Sequence, residues 1–179
     1  MSTADPLRGD PASPVVQRMS EVATLLRRSR IYVASSWRNA RQPVVVEHLR
    51  AQGHEVYDFR NPPNASGFSW TEVKPTTAPG IPGKGSDWEA ADDYLAMIDH
   101  PRARQGFDAD FGAMLNADTF ILVLPCGKSA HLELGWAVGA GKRTAILLED
   151  PVEPELMYRM VDYLATRLGG LTRWLDGPS

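Results

Sequence analysis

Short apolar runs alternate with longer amphipathic segments along the chain, and this alternation predicts its secondary structure. The runs RIYVASS (30–36) and TFILVLP (119–125) are rich in β-branched, aromatic and aliphatic residues, which is typical of buried strands. After the first run, NARQPVVVEHLRAQGHEVYDF predicts a helix ended by Gly53 and a second strand over 54–58. A strand, a helix and a strand at this spacing form a β-α-β unit.

The rest of the chain continues the alternation. Helical spacing of apolar residues predicts helices over 14–28 and over 153–170. It also predicts one helix on each side of Pro101 and another that ends at the Gly-rich turn at 139–142. RTAILLED (143–150) predicts a further strand. Together these elements predict a three-layer α/β domain, Rossmann/flavodoxin-like, with a mostly parallel sheet of about four to five strands.

Two segments depart from this pattern. Residues 1–13 are rich in Pro, Gly, Asp and Ser and predict a flexible leader, so that 14–179 forms a single α/β domain. Residues 60–86 form a long loop dense in Pro, Gly, Ser and Thr that contains Phe68 and Trp70. Aromatic residues in so long a loop favour a functional lid, and the alternative is an insertion whose aromatic side chains merely dock on the body.

Composition narrows the possible functions. With 179 residues, 43% hydrophobic and 23% charged, the chain is long enough to bury a sizeable core. A net charge of -3 and a pI of about 5.8 argue against nucleic acid as a partner. No apolar run is long enough to cross a bilayer, and the N-terminus lacks the apolar core of a signal peptide. A single cysteine, Cys126, fits a reducing compartment, so we expect a cytoplasmic protein.

Polar residues follow the predicted strands, where parallel sheets bind their ligands. SSWRN, residues 35–39, places two hydroxyls and Arg38 before a helix N-terminus, which suits an anion such as phosphate. Ser36 or Asn39 could instead simply cap that helix. Asp58 occupies the corresponding place after the second strand.

Carboxylates near the later strands are candidates for chemistry. In CGKSAHLELG, Gly127 allows close backbone approach, Ser129 lies at or near the N-cap, and Glu133 shares a helix face with Ser129. A carboxylate placed there can act as a nucleophile at an electrophilic carbon. Asp108 and Asp110 are predicted early in a helix, and a second carboxylate near Glu133 would supply a general acid. For all three carboxylates the alternative is a favourable interaction with the helix dipole.

The sequence offers no pattern for a cofactor. Its four histidines show no metal-ligand spacing, and Cys126 has no partner motif, so no metal is predicted. Neither G-x-G-x-x-G nor a Walker loop follows the first strand, which leaves ordinary dinucleotide or nucleoside triphosphate binding unsupported. We therefore predict no cofactor.

Three motifs over residues 30–148 resemble the nucleoside 2-deoxyribosyltransferase family and its relatives that hydrolyse nucleoside 5'-monophosphates. The stretch IYVASSW is similar to the family's first strand, and FDADFGAMLNADTFILVLP to its acid-containing helix and following strand. HLELGWAVGAGK resembles the most characteristic motif, E-L-G-x-A-x-x-x-G-K. The resemblance implies that Glu133 is the nucleophile that captures the sugar anomeric carbon, that Asp110 contacts the base, and that Tyr32 lies near the sugar.

The resemblance also bears on the substrate and on assembly. Ser36-Trp37-Arg38 is similar to the S-x-R phosphate loop of the monophosphate hydrolases, which implies a 5'-phosphorylated nucleoside. The transferases carry an acidic loop before the nucleophile, whereas this chain has CGKSAH, so transfer and hydrolysis both remain open. A homodimer or larger homo-oligomer is implied as well. The predicted substrate-binding residues are Ser35, Ser36, Trp37, Arg38, Asp58, Trp70, Gly127 and Ser129.

The sequence thus predicts cleavage or transfer at the N-glycosidic bond of a small-molecule nucleoside or nucleotide, through a Glu133 glycosyl-enzyme intermediate. A Toll/interleukin-receptor-like domain that cleaves NAD is the enzymatic alternative, because it shares the architecture and differs mainly in the leaving group. The third possibility is a non-catalytic module that binds a nucleotide as a sensor.

Overall fold

A computed structural model describes residues 13–14, 17–18, 28–63, 66–73, 91–150 and 153–177. The strands in these ranges are β1 Arg30–Ala34, β2 Glu55–Tyr57, β3 Thr119–Val123, β4 Arg143–Leu147 and β5 Tyr163–Ala165. The helices are α1 Arg41–Ala51, α2 Ala91–Ile98, α3 Pro101–Asn116, α4 Lys128–Gly139 and α5 Leu168–Leu175. None of the helices in the described ranges is long and apolar enough to cross a membrane.

Several predicted segments fall partly or wholly outside the described residues. They are the leader apart from residue 13, most of the helix predicted over 14–28, and residues 64–65 and 74–86 of the predicted lid.

The five strands form one parallel sheet in the order β2-β1-β3-β4-β5. The predicted α/β fold with a parallel sheet is confirmed. Because the chain order reverses between β1 and β3, the carboxyl ends of these two strands form the crevice where sheets of this type bind ligands.

Strict alternation along the central strands divides the core between the two faces of the sheet. Ile31 and Val33 of β1 face α1 and α5, whereas Tyr32 and Ala34 face α3 and α4. The central strand β3 is fully buried, because helices cover it on both sides. The helices and the sheet thus form three layers, and the side chains that face α3 and α4 include the predicted catalytic Tyr32.

Two glycines end the helices that follow β1 and β3. Gly53 has φ 89° after α1, and Gly141 has φ 68° after α4, a left-handed conformation that favours glycine. Both helices therefore stop where the sequence predicted, and the chain turns directly into β2 and β4.

The prediction of a helix over 153–170 was wrong. That stretch contains a 3-10 turn, Leu156–Met160, then strand β5, and the helix α5 begins only at Leu168. The apolar residues that suggested a helix are largely exposed, with Leu156 and Met157 77% and 60% accessible. Strand β5 owes its conformation to pairing with β4 rather than to its own hydrophobic pattern, since only Ala165 within it is buried.

Candidate active site

The carboxyl ends of β1 and β3 are joined by Asn39. Its buried Nδ2 donates to Ser35 Oγ at 3.0 Å and to the carbonyl oxygens of Val123 and Pro125, each at 3.1 Å. The Ser35 hydroxyl in turn donates to Val123 O at 2.8 Å. Ser35 and Asn39 are therefore engaged in holding the two strand ends together, which fixes the floor of the crevice.

The turn after β1 presents Arg38 outward. Ser36 Oγ accepts a hydrogen bond from the Arg38 backbone N–H at 3.2 Å, so Ser36 shapes the turn. Trp37 is half exposed and packs edge-on against Phe59, with ring centroids 5.4 Å apart. The exposed Arg38 guanidinium makes no hydrogen bond or ion pair with any residue in the described ranges. This side chain is free to meet a ligand.

Asp58, after β2, is occupied by the fold. Its carboxylate accepts hydrogen bonds from Gln42 Nε2 at 2.8 Å, Asn61 Nδ2 at 2.9 Å and the Arg60 backbone N–H at 3.1 Å. Burial raises the pKa of this carboxyl, but the bonds from Asn61 and Gln42 outweigh burial and lower the pKa overall. Asp58 thus remains ionised and secures the turn that follows β2.

The candidate carboxylates do not lie where a helix dipole would explain them. Glu133 is in the second turn of α4, whose first turn holds no acidic residue. Asp108 and Asp110 were predicted early in a helix, and that prediction was wrong because α3 already begins at Pro101. The stabilisation of an anion by the helix N-terminus is confined to the first turn. The dipole therefore does not account for these residues.

Glu133 and Asp110 lie close to two stacked tyrosines. Tyr32 stacks on Tyr57 across the β1–β2 pair, with centroids 5.4 Å apart, and on Phe120 of β3 at 5.0 Å. The Tyr57 hydroxyl donates to Asp110 Oδ1 at 2.8 Å. The buried Tyr32 hydroxyl has no partner that meets hydrogen-bond geometry, yet it lies near enough to Glu133 for each group to shift the pKa of the other.

This proximity changes the titration of both acids. Burial, and secondarily the charge of Asp110, raises the pKa of Glu133 to about 7. The contact with the Tyr32 hydroxyl acts in the opposite direction and lowers this pKa. Burial also raises the pKa of Asp110, although the hydrogen bond from Tyr57 acts in the opposite direction. Two partly buried carboxylates with raised pKa values in one crevice are typical of general acid–base and nucleophilic chemistry.

Tyr57 is a site residue that the sequence analysis missed. Its side chain reaches Asp110 because β1 and β2 pair in a register that places Tyr57 beside Tyr32. Burial, followed by the hydrogen bond to Asp110, raises the pKa of the Tyr57 hydroxyl, so this group keeps its proton and continues to donate it.

The first turn of α4 is held by His131. A carbonyl oxygen only accepts, so His131 Nδ1 donates to Gly127 O at 2.9 Å, and Nε2 then accepts from the Tyr158 hydroxyl at 2.8 Å. Burial, and then Glu133, raises the pKa of the Cys126 thiol to about 12, so this cysteine is not a thiolate nucleophile. Within the described ranges, no group of three or more His, Cys, Asp and Glu residues could hold a metal ion.

Gly127 and Ser129 border open space at the start of α4. Gly127 is the N-cap residue, and a Cβ added there would meet no atom within 4 Å. Ser129 follows one residue into the helix and is exposed. The backbone N–H groups of this first turn are therefore accessible to an anion.

The predicted lid is described at 60–63 and 66–73, and the second of these stretches is docked on α3. Arg102 donates to Glu72 Oε2 at 2.7 Å and to Gly67 O at 3.0 Å. Phe68 packs so closely on α3 that a Cβ at Gly106 would lie 2.8 Å from the Phe68 Cβ. Trp70 packs edge-on against Phe68 and remains 43% exposed.

Comparison with known proteins adds little to this geometry. The chain matches no protein-family model and no curated protein sequence. It is similar to the solved structure of the CMP N-glycosidase BcmB from Clostridium botulinum, with 18% identity and a TM-score of 0.45 over 82% of this chain and 98% of that chain. A likeness this distant carries no information on the activity of this chain, which has to be inferred from its own residues.

Proposed function

We propose that this chain cleaves the N-glycosidic bond of a nucleoside or nucleoside 5'-monophosphate, with Glu133 as the nucleophile. The observation that carries the proposal is the pairing of two partly buried carboxylates, Glu133 and Asp110, beside the buried hydroxyl of Tyr32. Holding an ionised Glu133 partly out of water beside Asp110 is costly in the free protein. It becomes favourable when positive charge develops between the acids.

In the first step, an ionised Glu133 oxygen attacks C1' of the sugar while the bond from C1' to the base nitrogen breaks. The electron pair of that bond leaves with the base, and a proton from Asp110 neutralises the departing nitrogen. The Tyr57 hydroxyl, which donates to Asp110 Oδ1 at 2.8 Å, orients the Asp110 carboxyl for this transfer. Glu133 and the sugar are then joined by an ester bond.

In the second step, an oxygen or nitrogen nucleophile attacks C1' and displaces the Glu133 carboxylate. Asp110, now ionised, accepts the proton of that nucleophile. Water as the acceptor gives hydrolysis, and a second base gives transfer. The Tyr32 hydroxyl, which lies near Glu133, then donates a hydrogen bond to the released carboxylate.

A 5'-phosphate would be held at the carboxyl edge of the sheet. Arg38 offers a free guanidinium on the turn after β1, and the first turn of α4 offers the Ser129 hydroxyl and accessible backbone N–H groups. Both features follow neighbouring strands, β1 and β3, and we expect one phosphate to contact both.

The test is to incubate the purified protein with nucleosides, their 5'-monophosphates and NAD, with and without a second free base, and to separate the products by chromatography. We expect release of free base, and Glu133→Ala should reduce it by at least about three orders of magnitude. Asp108→Ala, which removes an exposed carboxylate from the same helix as Asp110, is the matched control and should retain full activity.

Unchanged turnover by Glu133→Ala would refute the nucleophile assignment. Turnover of NAD alone would favour the NAD-cleaving alternative. If no substrate turns over while nucleotides still raise the melting temperature, the chain is a binding module rather than an enzyme.

A further inference from the structure

Arg60 lies directly behind the turn that follows β1. Its Nη2 donates to two carbonyl oxygens of that turn, those of Ser36 and Asn39, both at 2.8 Å. The guanidinium also lies 6.0 Å from the ring centroid of Trp37 and 5.9 Å from that of Phe59. Arg60 therefore determines the shape of the turn that carries Arg38.

The charge of Arg60 is not neutralised within the described part of the chain. No carboxylate there forms an ion pair with it, and its buried Nε has no hydrogen-bond partner. Two other arginines that reach across the fold are neutralised, Arg41 by Asp150 at 2.9 Å and Arg102 by Glu72 at 2.7 Å. Within the described residues, Arg60 thus adds an uncompensated positive charge behind the turn that carries Arg38, and this charge favours an anion at that turn.

The hydrogen bonds of Arg60 also direct a backbone donor. In a trans peptide the carbonyl and the following N–H point in opposite directions, so a Ser36 carbonyl held by Arg60 turns the Trp37 N–H away from Arg60. That N–H donates to no residue in the described ranges. It shares the turn with the free guanidinium of Arg38.

We propose that Arg60 is a positioning residue for the phosphate of the substrate, and that its charge and its two carbonyl contacts give this site its preference for a phosphorylated nucleoside. The inference rests on the proposed function and deepens it. Arg60 acts through the turn, since it orients the Trp37 N–H and adds positive potential behind it, while Arg38 makes the direct contact.

Binding of inorganic phosphate tests the inference without any turnover. Phosphate affinity is measured by calorimetry at low and at physiological salt for the wild type, Arg60→Gln and Arg60→Lys. Gln can still donate to a carbonyl but has no charge, whereas Lys keeps the charge. Arg50→Gln is the matched control, because Arg50 also donates to a backbone carbonyl, that of Val56 at 2.9 Å, but away from the turn.

We expect Arg60→Gln to bind phosphate at least about tenfold more weakly, with a flatter salt dependence, and Arg60→Lys to recover most of the affinity. Arg50→Gln should match the wild type. The inference is overturned if Arg60→Gln binds phosphate as the wild type does, or if Arg60→Lys loses as much as Arg60→Gln.

A second variant covers the case in which Arg60→Gln does not fold. Arg38→Gln alters only an exposed side chain, and it should retain weakened phosphate binding that still declines with salt, because Arg60 remains. If Arg38→Gln does not bind phosphate at all, no binding is left that Arg60 could account for, and the inference is overturned.

The two proposals fail in different ways. Phosphate binding that depends on Arg60, without release of any base, would refute glycosidic cleavage and leave the anion site intact. Equal cleavage of nucleosides and their monophosphates by the wild type would refute the anion site and leave glycosidic cleavage intact.

Discussion

Replacing Glu133 by Gln should stabilise the protein at alkaline pH and leave its stability nearly unchanged at acid pH. The folded protein raises the pKa of Glu133 from the ordinary 4.5 to about 7. Between these two values the folded chain binds more protons than the unfolded chain, so the wild type loses stability as pH rises from about 4.5 to 7. Gln has no charge to bury and avoids this loss.

The size of the effect follows from the same two values. The difference between 4.5 and about 7, at about 1.36 kcal/mol per pH unit, is about 3.4 kcal/mol. Because the side chain keeps some contact with solvent, we expect a gain of about 2–3 kcal/mol at pH 8.5. For a domain of this size, that gain corresponds to a rise in melting temperature of roughly 5–10 °C.

The assay is urea denaturation followed by tryptophan fluorescence at pH 5, 7 and 8.5, since the chain has 5 tryptophans. Glu47→Gln, on the exposed face of α1, is the control and should differ little from the wild type at every pH. A Glu133→Gln variant whose stability relative to the wild type does not change with pH, or which is less stable at pH 8.5, would refute the reasoning.

Three further predictions concern the same crevice. Because a nucleophile must be ionised, kcat/KM should rise as the pH passes through about 7, the raised pKa of Glu133. A fall of kcat/KM over that range would make Glu133 the proton donor instead. Tyr57→Phe removes the hydrogen bond that favours ionised Asp110, so pH–rate profiles should show the Asp110 titration moved to higher pH, whereas Tyr163→Phe should leave the profile unchanged. Asn39→Ala leaves buried carbonyls without a donor and should cost about 2–4 kcal/mol in urea denaturation, and a loss below about 1 kcal/mol would contradict its role between the strand ends.

Elements with a strong hydrophobic signal could be predicted from the sequence. The first, third and fourth strands are buried on both faces, so their composition alone identifies them, and glycines with positive φ identify two helix ends. Strand β5 could not be predicted, because the apolar residues around it predicted a continuous helix over 153–170. Its flanking apolar residues are spaced like those of a helix and yet lie exposed.

The candidate site was only partly predictable for a similar reason. Glu133, Asp110 and Tyr32 lie in motifs that resemble a known family, and the structure brings all three together. Tyr57 and Arg60 act through the register of a parallel strand pair and through contacts with backbone carbonyls. Neither kind of contact leaves a spacing pattern in the sequence.

The hydrogen bond between Tyr57 and Asp110 joins two parts of the protein that differ in local stability. Glu133 and Asp110 both stand on helices, α4 and α3, but the hydrogen bond that orients Asp110 comes from a three-residue strand at the edge of the sheet. Edge strands open at a lower free energy than the central strands of a sheet, and they exchange their amide hydrogens faster. A local fluctuation of β2 would therefore free the Asp110 carboxyl from Tyr57 while the core stays folded, and we expect heat inactivation to precede global melting.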